Sequence, residues 1–124
     1  MDTTLPARSL AALALLMPFT ADAQEPRYLC SGIGLEREEE EANFRHSLKL
    51  VFAQTDGHYI ADVAATITSG SGAVLAETCP SPWLLVDLPA GSYTVTASYG
   101  GETKSATLQV SNTRIREYTF AFRP

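Results

Sequence analysis

Hydrophobic and polar residues alternate along most of the chain after Ser47, with the period of two that is typical of β-strands buried on one face. The first such strand places three large apolar residues on one face, namely Leu48, Leu50 and Phe52. The most regular alternation runs from Ser92 to Tyr99, where serine or threonine occupies every second position. The pattern therefore predicts about seven short antiparallel strands between residues 47 and 124.

Glycine and proline mark the turns between these strands. The turn segments are Gln54–Gly57, Ser69–Gly72, Pro89–Gly91 and Gly100–Gly101. Two adjacent glycines between alternating strands are typical of a two-residue hairpin. Because each predicted strand has only one apolar face, two sheets must pack against each other to bury those faces. We therefore expect an all-β domain, an antiparallel β-sandwich.

Only the segment Leu35–His46 has helical features. Its apolar side would consist of Leu35, Ala42 and Phe44. Glu41 lies four residues from both Arg37 and Arg45, a spacing at which opposite charges pair on a helix. We expect residues 24–46 to form a lead-in and a short acidic helix, which must dock on the sandwich because so short a helix is marginal alone.

The first 23 residues read as a signal peptide. The apolar run Leu10–Phe19 is followed by Ala21-Asp22-Ala23, a small-x-small cleavage site. This run is about half of the roughly 20 residues that a membrane-spanning helix needs, and it contains Pro18. We expect cleavage before Gln24 and a periplasmic or secreted protein without a membrane anchor.

One segment resembles a known family. Leu88–Val95 has the pattern Leu-Pro-x-Gly-x-Tyr-x-Val, which resembles carboxypeptidase-regulatory-like domains of the transthyretin type. Asp62–Ile67 is similar to an early strand of that family, so the resemblance covers residues 47–122. It implies the sandwich fold but not a function, since such domains accompany peptidases, receptors and adhesins. The chain ends in Phe120–Pro124 rather than Tyr-Arg-Gly-Ser, so hydroxyisourate hydrolase activity is not expected.

The composition removes several classes of function. The net charge of −5 provides no basic face for nucleic acid. The chain has two histidines, His46 and His58, which are too few to define a zinc site. Ser69–Gly72 contains serines and glycines but joins two predicted strands, so it is a turn and not a nucleophile elbow. We expect no cofactor.

Two cysteines, Cys30 and Cys79, remain after the predicted cleavage. In an oxidising compartment we expect them to form a disulfide. The alternative is a pair of buried free thiols, because the sequence does not show whether the two backbones approach closely enough.

Two features have both a structural and a functional interpretation. Glu38, Glu39, Glu40 and Glu41 form either a solvated helix face or a surface for a protein partner. Trp83 either anchors a partner at the surface or packs beneath the Leu35–His46 segment, and packing is favoured.

Three functions remain open on this sequence. The leading hypothesis is an exported, non-catalytic binding or accessory module with an unidentified ligand. One alternative is an enzyme with a non-standard site built from His46, His58 and Glu38. The other is a periplasmic metal-handling protein that uses the acidic cluster.

Overall fold

The computed structural model describes residues 25–124, so the predicted signal peptide of residues 1–23 lies outside the described part of the chain. The elements in chain order are β1 (Tyr28–Ser31), α1 (Arg37–Asn43), β2 (Leu48–Gln54), β3 (Val63–Ser69), β4 (Gly72–Cys79), β5 (Trp83–Val86), β6 (Gly91–Tyr99), β7 (Glu102–Val110) and β8 (Arg116–Phe122). Within residues 25–124, no helix is both long enough and apolar enough to cross a membrane.

The strands form two sheets of four. Sheet 1 has the order β1-β5-β2-β8, and sheet 2 has the order β4-β3-β6-β7. The expectation of an all-β sandwich is confirmed at this level, but the described residues form eight strands and not seven. The pairs are antiparallel except for β2 and β8, which run parallel with Leu48 opposite Arg116. The all-antiparallel expectation is therefore wrong at this one pair.

The additional strand is β1, which the sequence analysis assigned to the lead-in. It pairs with β5, and Cys30 lies opposite Leu84. Four residues are too few to show a clear period of two, and the strand is stabilised by a partner more than 50 positions away in sequence. A local pattern cannot show such a pairing.

The core lies between the sheets and consists of the inward-facing residues of both. Its fully buried members include Leu48, Leu50, Phe52, Ile67, Leu84, Val95, Leu108, Phe120 and Phe122. The rings of Phe52 and Phe120 stack with centroids 6.2 Å apart, which joins the central strand of sheet 1 to its edge strand. The face that alternation assigned to the core is therefore the buried face.

The turn between β5 and β6 is held by two hydroxyl groups. The Tyr93 phenol donates a hydrogen bond to the Pro89 carbonyl over 2.8 Å. Ser47 donates to the Leu88 carbonyl over 2.8 Å and accepts from the Leu88 N–H over 2.9 Å. Ser47 and Leu88 are both buried, so the two bonds between them satisfy backbone groups that water cannot reach. They fix the start of β2 against this turn.

A disulfide closes one side of the sandwich. Cys30 on β1 and Cys79 on β4 are bonded, with their Cα atoms 5.5 Å apart. These strands are the edges of sheet 1 and sheet 2, so the bond joins the two sheets at their rim. Beside it, Tyr28 hydrogen-bonds to the Glu77 carboxylate, which raises the pKa of the phenol. The predicted pairing is confirmed.

Candidate functional site

The acidic segment forms helix α1, which is shorter than the predicted span of Leu35–His46. It ends because Phe44 takes an extended backbone conformation, with ψ at 119°. Three glutamates occupy the first turn, where carboxylates lie near N–H groups that have no partner in the helix. The helix buries none of its own residues. It is therefore held by contacts at its ends and by a few polar side chains.

The predicted apolar side of the helix is wrong for two of its three residues. Leu35 precedes the helix and is 100% exposed, and Ala42 is also exposed. Only Phe44 packs on the sandwich, against a small apolar cluster on the outer face of sheet 1. A helix of seven residues makes two turns, which is too short to bury a continuous stripe.

Trp83 is the centre of that cluster and is only 6% exposed. The cluster comprises Val51, Trp83 and Leu85, with Leu29 and Phe44 packed against them. The chain passes close over the indole at Gly32, where an added Cβ would lie 2.7 Å from the ring. The packing interpretation of Trp83 is therefore the one that the structure shows, and the ring does not present a surface anchor.

Lys49 is buried beside Trp83, although a lysine is rarely buried without a partner. Its Nζ lies 3.0 Å from Glu41 Oε1 and 3.8 Å from the centroid of the indole ring. The carboxylate and the aromatic face both stabilise the ammonium group in this setting. This contact joins α1 to β2.

Glu40 provides the second polar contact, accepting a hydrogen bond from Ser31 Oγ over 2.7 Å. The helical pairs expected for Glu41 are replaced, because this residue points to Lys49 and Arg45 approaches Asp87 instead. The sequence analysis missed Lys49 and Ser31. The available signal was their position on strand faces beside Trp83, but a local pattern does not say which distant side chain will meet them.

The four predicted partner-binding glutamates thus divide into two pairs. Glu40 and Glu41 are tied to the sandwich, whereas Glu38 and Glu39 have no hydrogen bond or ion pair with described residues and point to solvent. Leu35 and Ile33 are exposed next to them, Ile33 by 61%. We call Leu35, Glu36, Glu38 and Glu39 the acidic surface. It combines an exposed apolar side chain with three carboxylates.

His46 is buried beneath this layer. Its Nδ1 donates a hydrogen bond to the Phe44 carbonyl oxygen over 2.6 Å, because a carbonyl oxygen can only accept. Its Nε2 has no hydrogen-bond partner among the described residues and lies 3.8 Å from Glu41 Oε2. Glu38 and His46 both line a hollow of 420 Å³ beside Ile115.

His58 lies elsewhere, in the loop after β2. Its side chain is 79% exposed, and its backbone N–H donates to Asp56 Oδ1, which lowers the pKa of Asp56. His46 and His58 flank the seven residues of β2, which span about 20 Å. The structure therefore does not bring together the three residues of the proposed enzyme site.

The acidic cluster does not form a set of metal ligands. Among residues 25–124, no group of three or more histidine, cysteine, aspartate or glutamate side chains lies close enough to hold a metal ion. Two of the clustered carboxylates contact Ser31 and Lys49 instead.

Compared with models of known protein families and with curated proteins, the chain matches none of them. The functional conclusion therefore rests on the layer that covers sheet 1. There, the anchored helix and the turn before it expose one apolar and three acidic side chains.

Proposed function

We propose that the chain is an exported, non-catalytic binding or accessory module that recognises a basic protein partner through the acidic surface. The observation that most supports this is the complete exposure of Leu35 beside three exposed glutamates. A leucine in that position stabilises nothing in the isolated domain, whereas a partner would bury it.

The helix that carries the acidic surface is fixed in place. Glu40 contacts Ser31, Glu41 contacts Lys49, and Phe44 packs on the Trp83 cluster. A surface held in its binding geometry loses less conformational entropy when a partner binds. The contacts of α1 therefore favour recognition by a preformed surface.

The chemistry of the acidic surface indicates the chemistry of its partner. The carboxylates of Glu36, Glu38 and Glu39 form no ion pair with described residues, although Arg37 lies among them. Such carboxylates attract a basic surface and accelerate its approach, an effect that falls as salt rises. Leu35 and Ile33 add apolar area of the kind that is buried at the centre of an interface. The partner would carry lysine or arginine around an apolar patch.

The fold supports an accessory role and an exported location. The turn pattern from Leu88 to Val95, with Tyr93 bonded to Pro89, is the segment that resembles carboxypeptidase-regulatory-like domains of the transthyretin type. A disulfide between two edge strands is typical of proteins that fold in an oxidising compartment. Both features support a periplasmic or secreted module that acts by binding.

Site-specific cross-linking tests this function. A photoreactive amino acid at position 35 of the mature chain should form adducts with an exported protein of the source cells. The same group at position 96, on the outer face of sheet 2, is the matched control. We expect adducts from position 35 only, decreasing as sodium chloride is raised and in a Glu38→Gln, Glu39→Gln variant.

Two results would contradict the proposal. Equal adducts from positions 35 and 96 would show that contact is nonspecific. Adducts from position 35 that are insensitive to both salt and the glutamine variant would show that the carboxylates take no part. The circular dichroism spectrum of each labelled protein should match the unlabelled one, so that neither result reflects a loss of fold.

A further inference from the structure

A groove of 590 Å³ lies at the end of the sandwich where three loops meet. Its walls are the residues before β2 (Arg45–Ser47), the turn after β5 (Asp87–Ala90) and the loop between β7 and β8 (Ser111–Ile115). Its volume is within the range of small-ligand sites in proteins. The sequence analysis did not find it because its walls come from three distant parts of the chain.

The walls of this groove are fastened to one another. Ser47 makes two hydrogen bonds to the backbone of Leu88, and its own carbonyl accepts the N–H of Arg116 over 2.9 Å. Tyr93 holds the Pro89 carbonyl in the same turn as Leu88. The groove is therefore preformed, and a ligand would not have to organise it.

The groove is positively charged, although the whole chain is acidic. Arg45 and Arg114 line it together with one carboxylate, Asp87. Arg45 approaches Asp87 at 3.8 Å with an 85% exposed side chain, so this pair is loose and weak. Arg114 forms no ion pair with any residue in the described part of the chain. Two arginines and one aspartate together leave one positive charge.

His46 also belongs to the lining, and its Nδ1 donates to the Phe44 carbonyl over 2.6 Å, which fixes the orientation of the ring. Ile115, 51% exposed, provides an apolar rim.

We infer that this groove binds a singly charged carboxylate. Such a group is found in a small hydroxy acid and at the C-terminus of a peptide. Arginine binds a carboxylate through two parallel hydrogen bonds, and one net positive charge matches a carboxylate better than a doubly charged phosphate. The inference is independent of the acidic surface.

Amide chemical shifts of the isotope-labelled mature chain test this binding. The probes are acetyl-dialanine, its C-terminal amide, lactate and inorganic phosphate. We expect acetyl-dialanine, lactate or both to shift the amides of Arg114, Ile115 and Leu88, and we expect the amide probe to leave them unchanged. Binding of acetyl-dialanine alone identifies a peptide C-terminus, and binding of lactate alone identifies a small acid.

Charge variants then test the residues. Arg114→Gln should weaken binding at least about tenfold, since a hydrogen bond to a charged group is lost. Asp87→Asn should tighten binding about threefold, because the competitor for Arg45 is removed. Arg123→Gln, beyond the end of β8, is the matched control and should change nothing, as should Glu38→Gln on the acidic surface.

Four results would overturn the inference. These are no shifts with either acid, equal binding of the amide, tighter binding of phosphate, or unchanged binding in a folded Arg114→Gln protein. Asp87→Asn is expected to tighten binding, whereas a variant that unfolds can only lose binding. Tighter binding therefore cannot result from a loss of fold. A negative result for the groove would not affect the cross-linking result at position 35, because the groove and the acidic surface are tested with variants of different residues.

Discussion

The two outer faces of the sandwich differ in whether another part of the chain covers them. On sheet 1 the outer face is covered, because α1 and Phe44 lie over Trp83, Leu85 and Val51. On sheet 2 no described element packs over the outer face. Its outward residues are Ala64, Thr66, Thr68, Ala76, Thr78, Ser92, Thr94, Thr96, Ser98, Thr103, Ser105, Thr107 and Gln109.

The difference lies in which residues occupy the outward positions of equally regular strands. Sheet 1 turns large apolar side chains outward, and these must be covered. Sheet 2 turns outward mostly small side chains, none of them charged, and several of their hydroxyl groups pair across neighbouring strands. Its hydroxyl pairs are Thr94 with Thr107, Thr96 with Ser105 and Ser98 with Thr103, at 3.3, 3.0 and 2.9 Å. Such a face is stable in water, so no helix is needed there.

Truncating the indole should produce the largest loss of stability. Trp83→Ala removes the centre of the covered cluster, and such core truncations cost about 3–5 kcal/mol of unfolding free energy. Thr96→Ala on the bare face should cost no more than about 0.5 kcal/mol. Urea unfolding followed by circular dichroism measures both. Similar losses for the two variants would mean that the faces are not energetically distinct.

Removing the disulfide should cost somewhat less. The bond closes a loop of 49 positions, for which chain entropy gives about 4 kcal/mol before any strain is subtracted. It holds β1, which carries Leu29 into the covered cluster. A Cys30→Ala, Cys79→Ala protein should therefore have a lower urea midpoint than the oxidised chain. The reduced wild type should match the double variant, and a midpoint equal to that of the oxidised chain would refute the stabilising role.

Replacing different glutamates of α1 should change the free energy of unfolding by different amounts. Glu41→Gln leaves the buried Lys49 without a carboxylate and should cost about 2 kcal/mol. Glu38→Gln and Glu39→Gln should change stability by no more than about 0.5 kcal/mol, because both side chains point to solvent. If the three variants were equally stable, the ion pair beneath the helix would contribute nothing.

The smallest expected effect is on the stability of the fold at acidic pH, and it concerns Glu102 on β7 of sheet 2. The Glu102 carboxylate accepts the backbone N–H of Arg123, and together with nearby Lys104 this lowers its pKa. A carboxylate whose pKa is lowered in the folded state stabilises the fold at a pH above the ordinary glutamate pKa of about 4.3. This stabilisation is lost as the pH falls through the pKa of the folded state. Glu102→Gln should reduce the dependence of the urea midpoint on pH between 5 and 3. An unchanged slope would assign that dependence to other carboxylates.

The sequence is informative where structure depends on near neighbours. Hydroxyl residues alternating with Tyr93, Val95 and Ala97 indicate the buried face of β6 because strand geometry alone places them there. The same reasoning set Trp83 opposite Leu84 and allowed for a cover over the indole.

Features that depend on distant partners were not predictable in this way. The strand at Tyr28–Ser31 exists because β5 pairs with it, and Lys49 is buried because Glu41 approaches from another element. The groove at Arg45 and Arg114 requires the relative placement of three loops. In each case the neighbours of a residue in the sequence do not indicate which distant residue will contact it.

The parallel pairing of β2 with β8 has a consequence for the order of folding. Leu48 meets Arg116, so the central strand of sheet 1 keeps one edge unpaired until the last strand has been synthesised. Contacts between such distant segments form slowly because a long loop must close first. A chain that is exported in an unfolded state would have all of these strands present when sheet 1 begins to assemble. A chain truncated before Arg116 should remain unable to complete sheet 1 and should expose the edge of β2 to aggregation.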